Sequence, residues 1–352
     1  MPCQLAITSM SLGRCWAGHS FAHKLDMARA YGYKGIELFH EDLADIASQL
    51  HNKSTAENEL EAAEIIHDMC IERGLSILCL QPFAGYEGLV DRDQHVQRLE
   101  QLKFWFQLAK VLGTDIVQIP SSFLPASQVT EDRDLIVSDL QIVADMGLKE
   151  NPPIRYVYEA LCWGTRVDHW EQSWEIVQAV DRPNFGICLD TFNIAGRIYA
   201  DPSSETGKTP NAEQAVTESI ARLLSDVDVS KVFYVQVVDA ERLQEPLVQG
   251  HKFYDAEQPC RMSWSRNCRL FYGEKDRGAY LPVVEISKAI FQGLGYEGWV
   301  SLELFNRRMS EQDTNVPREL ASRGAASWAK LVQDMNLNVD RPQLPQRITA
   351  SL

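Results

Sequence analysis

Short apolar runs rich in β-branched and aromatic residues recur along the chain, and longer stretches of helical periodicity separate them. The runs are Leu5–Met10, Gly35–Phe39, Ser76–Leu80, Asp115–Ile119, Arg155–Tyr158, Phe185–Leu189, Val232–Val238 and Trp299–Leu304. Each has the length and composition of a buried strand. Between them, Asp91–Leu112 and Pro317–Met335 read as amphipathic helices, the second with proline in its first turn. Ser54 and Glu57 form a capping-box pattern at the start of another helix. Gly32, Gly74, Gly113 and Gly295 each stand where a helix must end before a strand, so each predicts a left-handed C-cap. Eight strands in regular alternation with helices predict a (β/α)8 barrel. No G-x-G-x-x-G follows the first strand, so a dinucleotide-binding sheet lacks its main signal.

Two stretches break the rhythm. Residues 200–213 are a polar loop, and residues 239–281 are far longer than an ordinary strand-to-helix connection. The expected organisation is one barrel over residues 1–335 with an insertion at about 239–281, then a polar tail at 336–352. The length of 352 residues suits a single barrel. The formal net charge of −15 disfavours nucleic acid and anionic membranes as partners. No basic segment followed by an apolar one opens the chain, and no apolar run is long enough to span a bilayer. The eight cysteines form no C-x-x-C pair and several lie within apolar runs. They read as reduced core thiols of a cytoplasmic protein.

The strands carry an anomaly. "GYEGWVSLELFN" plants Glu303 inside an apolar run, where a lone charge is costly. Glu159 ends the fifth strand, Asp190 the sixth, and Gln236 stands in the seventh. Glu37, Gln81, Gln118 and Ser121 mark the ends of strands two to four. Any one of these could cap a helix or pair with a cation. In a barrel, residues at the C-terminal strand ends converge, so Glu159, Asp190, Gln236 and Glu303 meet. Three facing carboxylates repel unless a cation lies between them, and an all-oxygen donor set suits Mg²⁺ or Mn²⁺, with Co²⁺ also fitting. In "RMSWSRNCRLFYGE", residues 261–274, Arg261, Arg266 and Arg269 cluster within an acidic protein. Guanidinium forks over a metal site point to a small anionic substrate. His40, at the start of the segment after strand two, and His251, in the insertion, are further candidates.

The segments "LAITSMSLG", "GYKGIELFHEDL", "LQPFAGYEGL", "YEALCWG", "LDTFNIAGR", "MSWSRNCRLFYGE" and "GYEGWVSLELFN" together resemble the fungal 3-dehydroshikimate dehydratases of quinate catabolism. These belong to the xylose-isomerase-like barrel superfamily. The resemblance runs in order over nearly the whole chain. It implies a metal-dependent lyase that converts 3-dehydroshikimate to protocatechuate. It places the metal on Glu159, Asp190, Gln236 and Glu303, and the substrate-binding serine and arginine on Ser265 and Arg269. Gln81 and Asn193 join them as expected substrate contacts. In bacterial relatives a histidine credited with proton transfer stands three residues after the metal-binding aspartate, and here that position is Asn193. An amide is no base near neutral pH, so His40, Glu41 and His251 are the candidate catalytic groups. A sugar isomerase or epimerase of the same superfamily is the alternative, although a neutral sugar needs no arginine cluster.

Overall fold

The structure is a computed structural model and describes residues 2–51 and 55–340. Eight parallel strands close into a barrel. They are β1 (Gln4–Thr8), β2 (Gly35–Phe39), β3 (Ser76–Gln81), β4 (Ile116–Pro120), β5 (Arg155–Glu159), β6 (Phe185–Asp190), β7 (Val232–Gln236) and, after two strands outside the barrel, β10 (Trp299–Leu302). All eight predicted strands are present. The first is shorter than expected, because Ser9–Leu12 turns into a short 3-10 helix. Gly32, Gly74, Gly113 and Gly295 all have positive φ, from 64° to 86°, as their C-cap positions require. Ser54 lies outside the described residues, and the helix there is capped one residue later. Thr55 Oγ1 accepts from the Asn58 amide at 3.3 Å.

Strand alternation sorts the side chains into two sets. Leu5, Ile7, Ile36, Leu38, Leu80, Ile119 and Tyr156 point outward and are buried under the helices. Full burial of each such side chain contributes about 1.5–3 kcal/mol. The inward set forms layers. Ala6, Cys79, Ile116, Val157, Cys188 and Tyr234 plug the lower barrel, and Trp299 packs against them. A Cβ on Gly35 would lie 2.7 Å from the Trp299 ring, so only glycine admits that plug. Two residues further along the strands the inward layer is polar throughout: Thr8, Glu37, Gln81, Gln118, Glu159, Asp190, Gln236 and, just past β10, Glu303. Alternation from Gly35 and Cys188 carries Glu37 and Asp190 into this layer, and the register shifts beside them place one extra residue in each partner strand, Leu78 in β3 and Phe233 in β7.

The predicted insertion is a small structure of its own. β8 (Val238–Ala240) pairs antiparallel with β9 (Arg269–Phe271), and a helix at Cys260–Cys268 lies between them. Asp239 clamps its two ends. Its Oδ1 accepts from the backbone N–H of Ala240 at 2.7 Å, Leu281 at 2.9 Å and Tyr280 at 3.1 Å. The tail from residue 341 lies outside the described residues. Ahead of it, Val339 forms a parallel bridge with Cys3.

Candidate active site

The polar layer is a ring of side chains knitted by hydrogen bonds into two halves. Glu37, fully buried, accepts from Gln81 Nε2 at 2.8 Å, Gln236 Nε2 at 3.0 Å and Thr8 Oγ1 at 3.2 Å. Asn193 reaches up from the helix after β6 and bridges two carboxylates. Its Nδ2 donates to Glu159 Oε1 and to Asp190 Oδ2, each at 2.7 Å, and its Oδ1 accepts from the Cys162 amide at 3.0 Å. Gln118 Nε2 donates to Glu159 Oε2. Asp190 also caps its helix through the Phe192 amide at 2.8 Å. Glu159, Asp190 and Glu303 each offer an oxygen within 4.8 Å of the others.

One cation faces this set. Arg269, buried between the rings of Phe192 and Phe305, donates from Nη1 to Asp190 Oδ2 at 3.0 Å and Glu303 Oε2 at 3.1 Å. Its Nε donates to Ser265 Oγ at 3.0 Å. Nη2 has no hydrogen-bond partner among the described residues. One guanidinium does not balance four buried carboxylates. Burial pushes Glu303 up to about 8, with Glu37 and Asp190 adding to the effect against Arg269. Burial, then repulsion from Glu303 and Asp190, holds Glu159 well above the usual carboxylate range. Burial raises Asp190 as well, and Arg269 opposes it.

The residues fit a divalent cation. The donors are all oxygen, and the charge they share is uncompensated. Gln236 spends its Nε2 on Glu37, which leaves its buried Oε1 with no hydrogen-bond partner among the described residues. That orphaned acceptor is what a fourth metal ligand would look like without its metal.

Above the ring lies a cavity of about 210 Å³. Gln81, Gln118, Glu159 and Glu303 form its floor, and Phe39, Phe123, Trp163 and Phe305 its walls. The insertion closes it with Met262, Ser265, Arg266 and Arg269. Of the sequence-derived candidates, Glu159, Glu303, Gln81, Ser265 and Arg269 line this space, while Asp190, Gln236 and Asn193 lie in the ring and its supports. His40, Glu41 and His251 do not line it. His40 Nε2 faces Glu59 Oε2 at 3.1 Å and its ring stacks on Trp105. Glu41 pairs with Arg14, and His251 Nδ1 accepts from the Phe253 amide at 3.1 Å.

Two expectations change in kind. Arg269, expected to bind the substrate, is hydrogen-bonded to two of the carboxylates themselves. Asn193, expected to orient the substrate, has both polar atoms committed within the protein. Glu37, legible as a strand-end acid but given no role in the sequence reading, is the hub of the ring's other half.

These features define an α/β barrel enzyme with a buried oxygen-donor centre. A sequence profile of the xylose isomerase-like TIM barrel family matches residues 25–331, and the chain belongs to that family. A Neurospora crassa protein named 3-dehydroshikimate dehydratase is 63% identical over 359 residues, covering 100% of both chains. Among solved structures, a xylose isomerase-like TIM barrel/4-hydroxyphenylpyruvate dioxygenase fusion protein superposes with a TM-score of 0.71 at 26% identity, over 95% of this chain and 44% of that one. The IolI protein, solved with a bound zinc atom, gives 0.69 at 17% identity over 94% and 99%, which speaks to the fold alone.

Proposed function

We propose that this chain is a 3-dehydroshikimate dehydratase whose Glu159, Asp190, Glu303 and Gln236 hold a divalent metal ion. The convergence of three carboxylate oxygens within 4.8 Å beneath an arginine-roofed cavity carries this reading. The full-length likeness to the Neurospora dehydratase supports it.

The reaction removes one water from a ring bearing a ketone, a carboxylate and hydroxyls, and leaves protocatechuate. Aromatisation makes the overall step downhill. A bound divalent ion supplies electrophilic stabilisation of the negative charge that develops on the ketone oxygen. The protein's own residues do the positioning. Gln118 and Asn193 fix both oxygens of Glu159 before substrate arrives, and Asn193 also fixes Asp190. Ser265 accepts from Arg269 Nε, so its hydroxyl hydrogen is free for the substrate, as is Arg269 Nη2. Gln81 lines the floor beside Glu303 and orients the bound ring. Phe39, Phe123 and Phe305 keep water from the reacting face. His40, Glu41 and His251 stay outside the scheme. The oxygen-only donor set favours Mg²⁺, Mn²⁺ or Co²⁺.

None of the described helices is long and apolar enough to cross a membrane. All eight cysteines are unpaired, in keeping with a reducing, cytoplasmic setting.

The test is to strip the protein with a chelator, add back Mn²⁺, Mg²⁺, Co²⁺ or Zn²⁺ singly, and follow protocatechuate formation. Restoration by a divalent ion is expected. Full turnover after chelation, or none with any ion, overturns the reading. Turnover of ketohexoses in place of 3-dehydroshikimate would install the isomerase alternative.

A further inference from the structure

Three arginines of the insertion point toward the site region, and they are not equivalent. Arg261 spends Nε on the Gly196 carbonyl and Nη2 on the Ala200 carbonyl, each at 2.8 Å, so it braces the helix after β6. The charge of Arg269 is met by Asp190 and Glu303. Arg266 differs from both. It lines the cavity at its exposed rim, its Nη1 donates to the neutral Gln258 Oε1 at 2.8 Å, and it makes no ion pair among the described residues. Two charges act on Arg266 through space, positive Arg14, itself held by Glu41, and negative Asp255, which Gln258 separates from it. In a chain of net charge −15, a cavity arginine without an acid partner is conspicuous.

An anionic substrate faces a problem in this cavity. The floor carries Glu159 and Glu303, and the walls beside Arg266 are the apolar Phe39, Met262 and Phe305. With the ketone oxygen directed at the floor, as the proposed reaction requires, the ring carboxylate turns away from it, toward the insertion. There, Arg269 offers one spare donor but little spare charge.

We propose that Arg266 is the residue that selects a carboxylate-bearing substrate, taking the anionic end of the ring while Arg269 and Ser265 flank it. The proposal deepens the dehydratase reading and rests on it for the identity of the substrate. Arg266 is a specificity residue. It does not act on the reacting bonds, so its loss acts on binding.

The experiment compares wild type, Arg266→Gln and Arg266→Lys, all loaded with Mn²⁺. Kinetics on 3-dehydroshikimate are measured beside calorimetric affinities for protocatechuate and catechol. These two ligands share the diol and differ by the carboxylate. Arg266→Gln is expected to raise KM about tenfold with kcat within about twofold, and to weaken protocatechuate by a similar factor. Catechol affinity stays unchanged, and Arg266→Lys recovers most of the loss because it keeps the charge. Equal weakening of both ligands, or of neither, overturns the assignment. A wild type that does not turn over 3-dehydroshikimate would sink the dehydratase reading separately. The two-ligand comparison would still decide whether Arg266 selects carboxylates.

Discussion

Two of the places where the molecule buries carboxylates have opposite surroundings. Asp139, in the helix Arg133–Gly147, is fully buried, yet its needs are met. Arg92 Nη1 donates to its Oδ2 at 3.0 Å and Arg92 Nη2 to its Oδ1 at 2.5 Å, and the Gly88 amide donates to Oδ2 at 2.9 Å. One acid meets one guanidinium in bidentate geometry, with His95 Nε2 also 3.1 Å from Oδ1, so both of its oxygens are satisfied. Among the described residues, the barrel ring sets Glu37, Glu159, Asp190 and Glu303 against Arg269 alone, and leaves Gln236 Oε1 and Gln118 Oε1 bare. The first arrangement is complete as it stands. The second is complete only with a further positive charge. Burial alone therefore marks neither as functional, and the mark is the unfilled demand.

Exchanging the two roles should fail in both directions. Glu303→Gln is expected to cost about 10³-fold in kcat with saturating Mn²⁺ and to abolish the metal-dependent rise in Tm. Its apo Tm at pH 8 should hold or rise, since a destabilised buried charge is gone. Active enzyme, or a collapsed apo fold, would erase the contrast. Asp139→Ala should do the reverse. It should destabilise by about 2–4 kcal/mol in urea titration, with Arg92 left unpaired, while the Mn²⁺-induced rise in Tm persists.

Glu87 sharpens the comparison from between the two. Its Oε1 accepts from the Ser122 amide at 2.6 Å and Tyr158 Oη at 3.1 Å, while its buried Oε2 has no partner among the described residues. Burial pushes it up to about 7. The folded chain thus keeps a proton that the unfolded chain releases near pH 4.5. Stability falls as pH rises across that window, by on the order of 3 kcal/mol, and levels off above it. Glu87→Gln cannot titrate and should flatten this slope in urea midpoints taken at pH 5, 6, 7 and 8. An unchanged slope would clear Glu87. The smallest effect is expected at His40, outside the cavity. His40→Ala should keep kcat within about threefold and leave the pH–rate profile as it was, whereas loss of a general base costs about 10²–10⁴-fold.

The barrel was legible because eight β-rich runs and four C-cap glycines are local signals. The metal-candidate set was legible because a charged residue in an apolar strand contradicts its neighbours. What escaped depends on direction. A strand-end acid reads the same whether its side chain enters the ring or a helix cap, so Glu37 looked no different from Glu41. Four residues apart, they face Gln236 and Arg14 respectively. Arg269 and Arg266 lie three apart on one short segment, and only the packing of Phe192 and Phe305 sends the first inward. His40 was attractive by residue type alone, and its partners Glu59 and Trp105 come from elements that no local pattern connects to it.

The Asp239 clamp has a consequence for descent. It gathers the start and the end of residues 239–281 onto one oxygen, so the stretch leaves and re-enters the barrel at a single point. The groups proposed to read the ligand, Ser265, Arg266 and Arg269, ride on that stretch, while Glu159, Asp190, Gln236 and Glu303 belong to the strands and their ends. Heredity can therefore exchange the reading head and keep the engine. In this lineage, new substrates are to be sought in changes to forty-odd residues of one loop, with the barrel inherited unaltered beneath them.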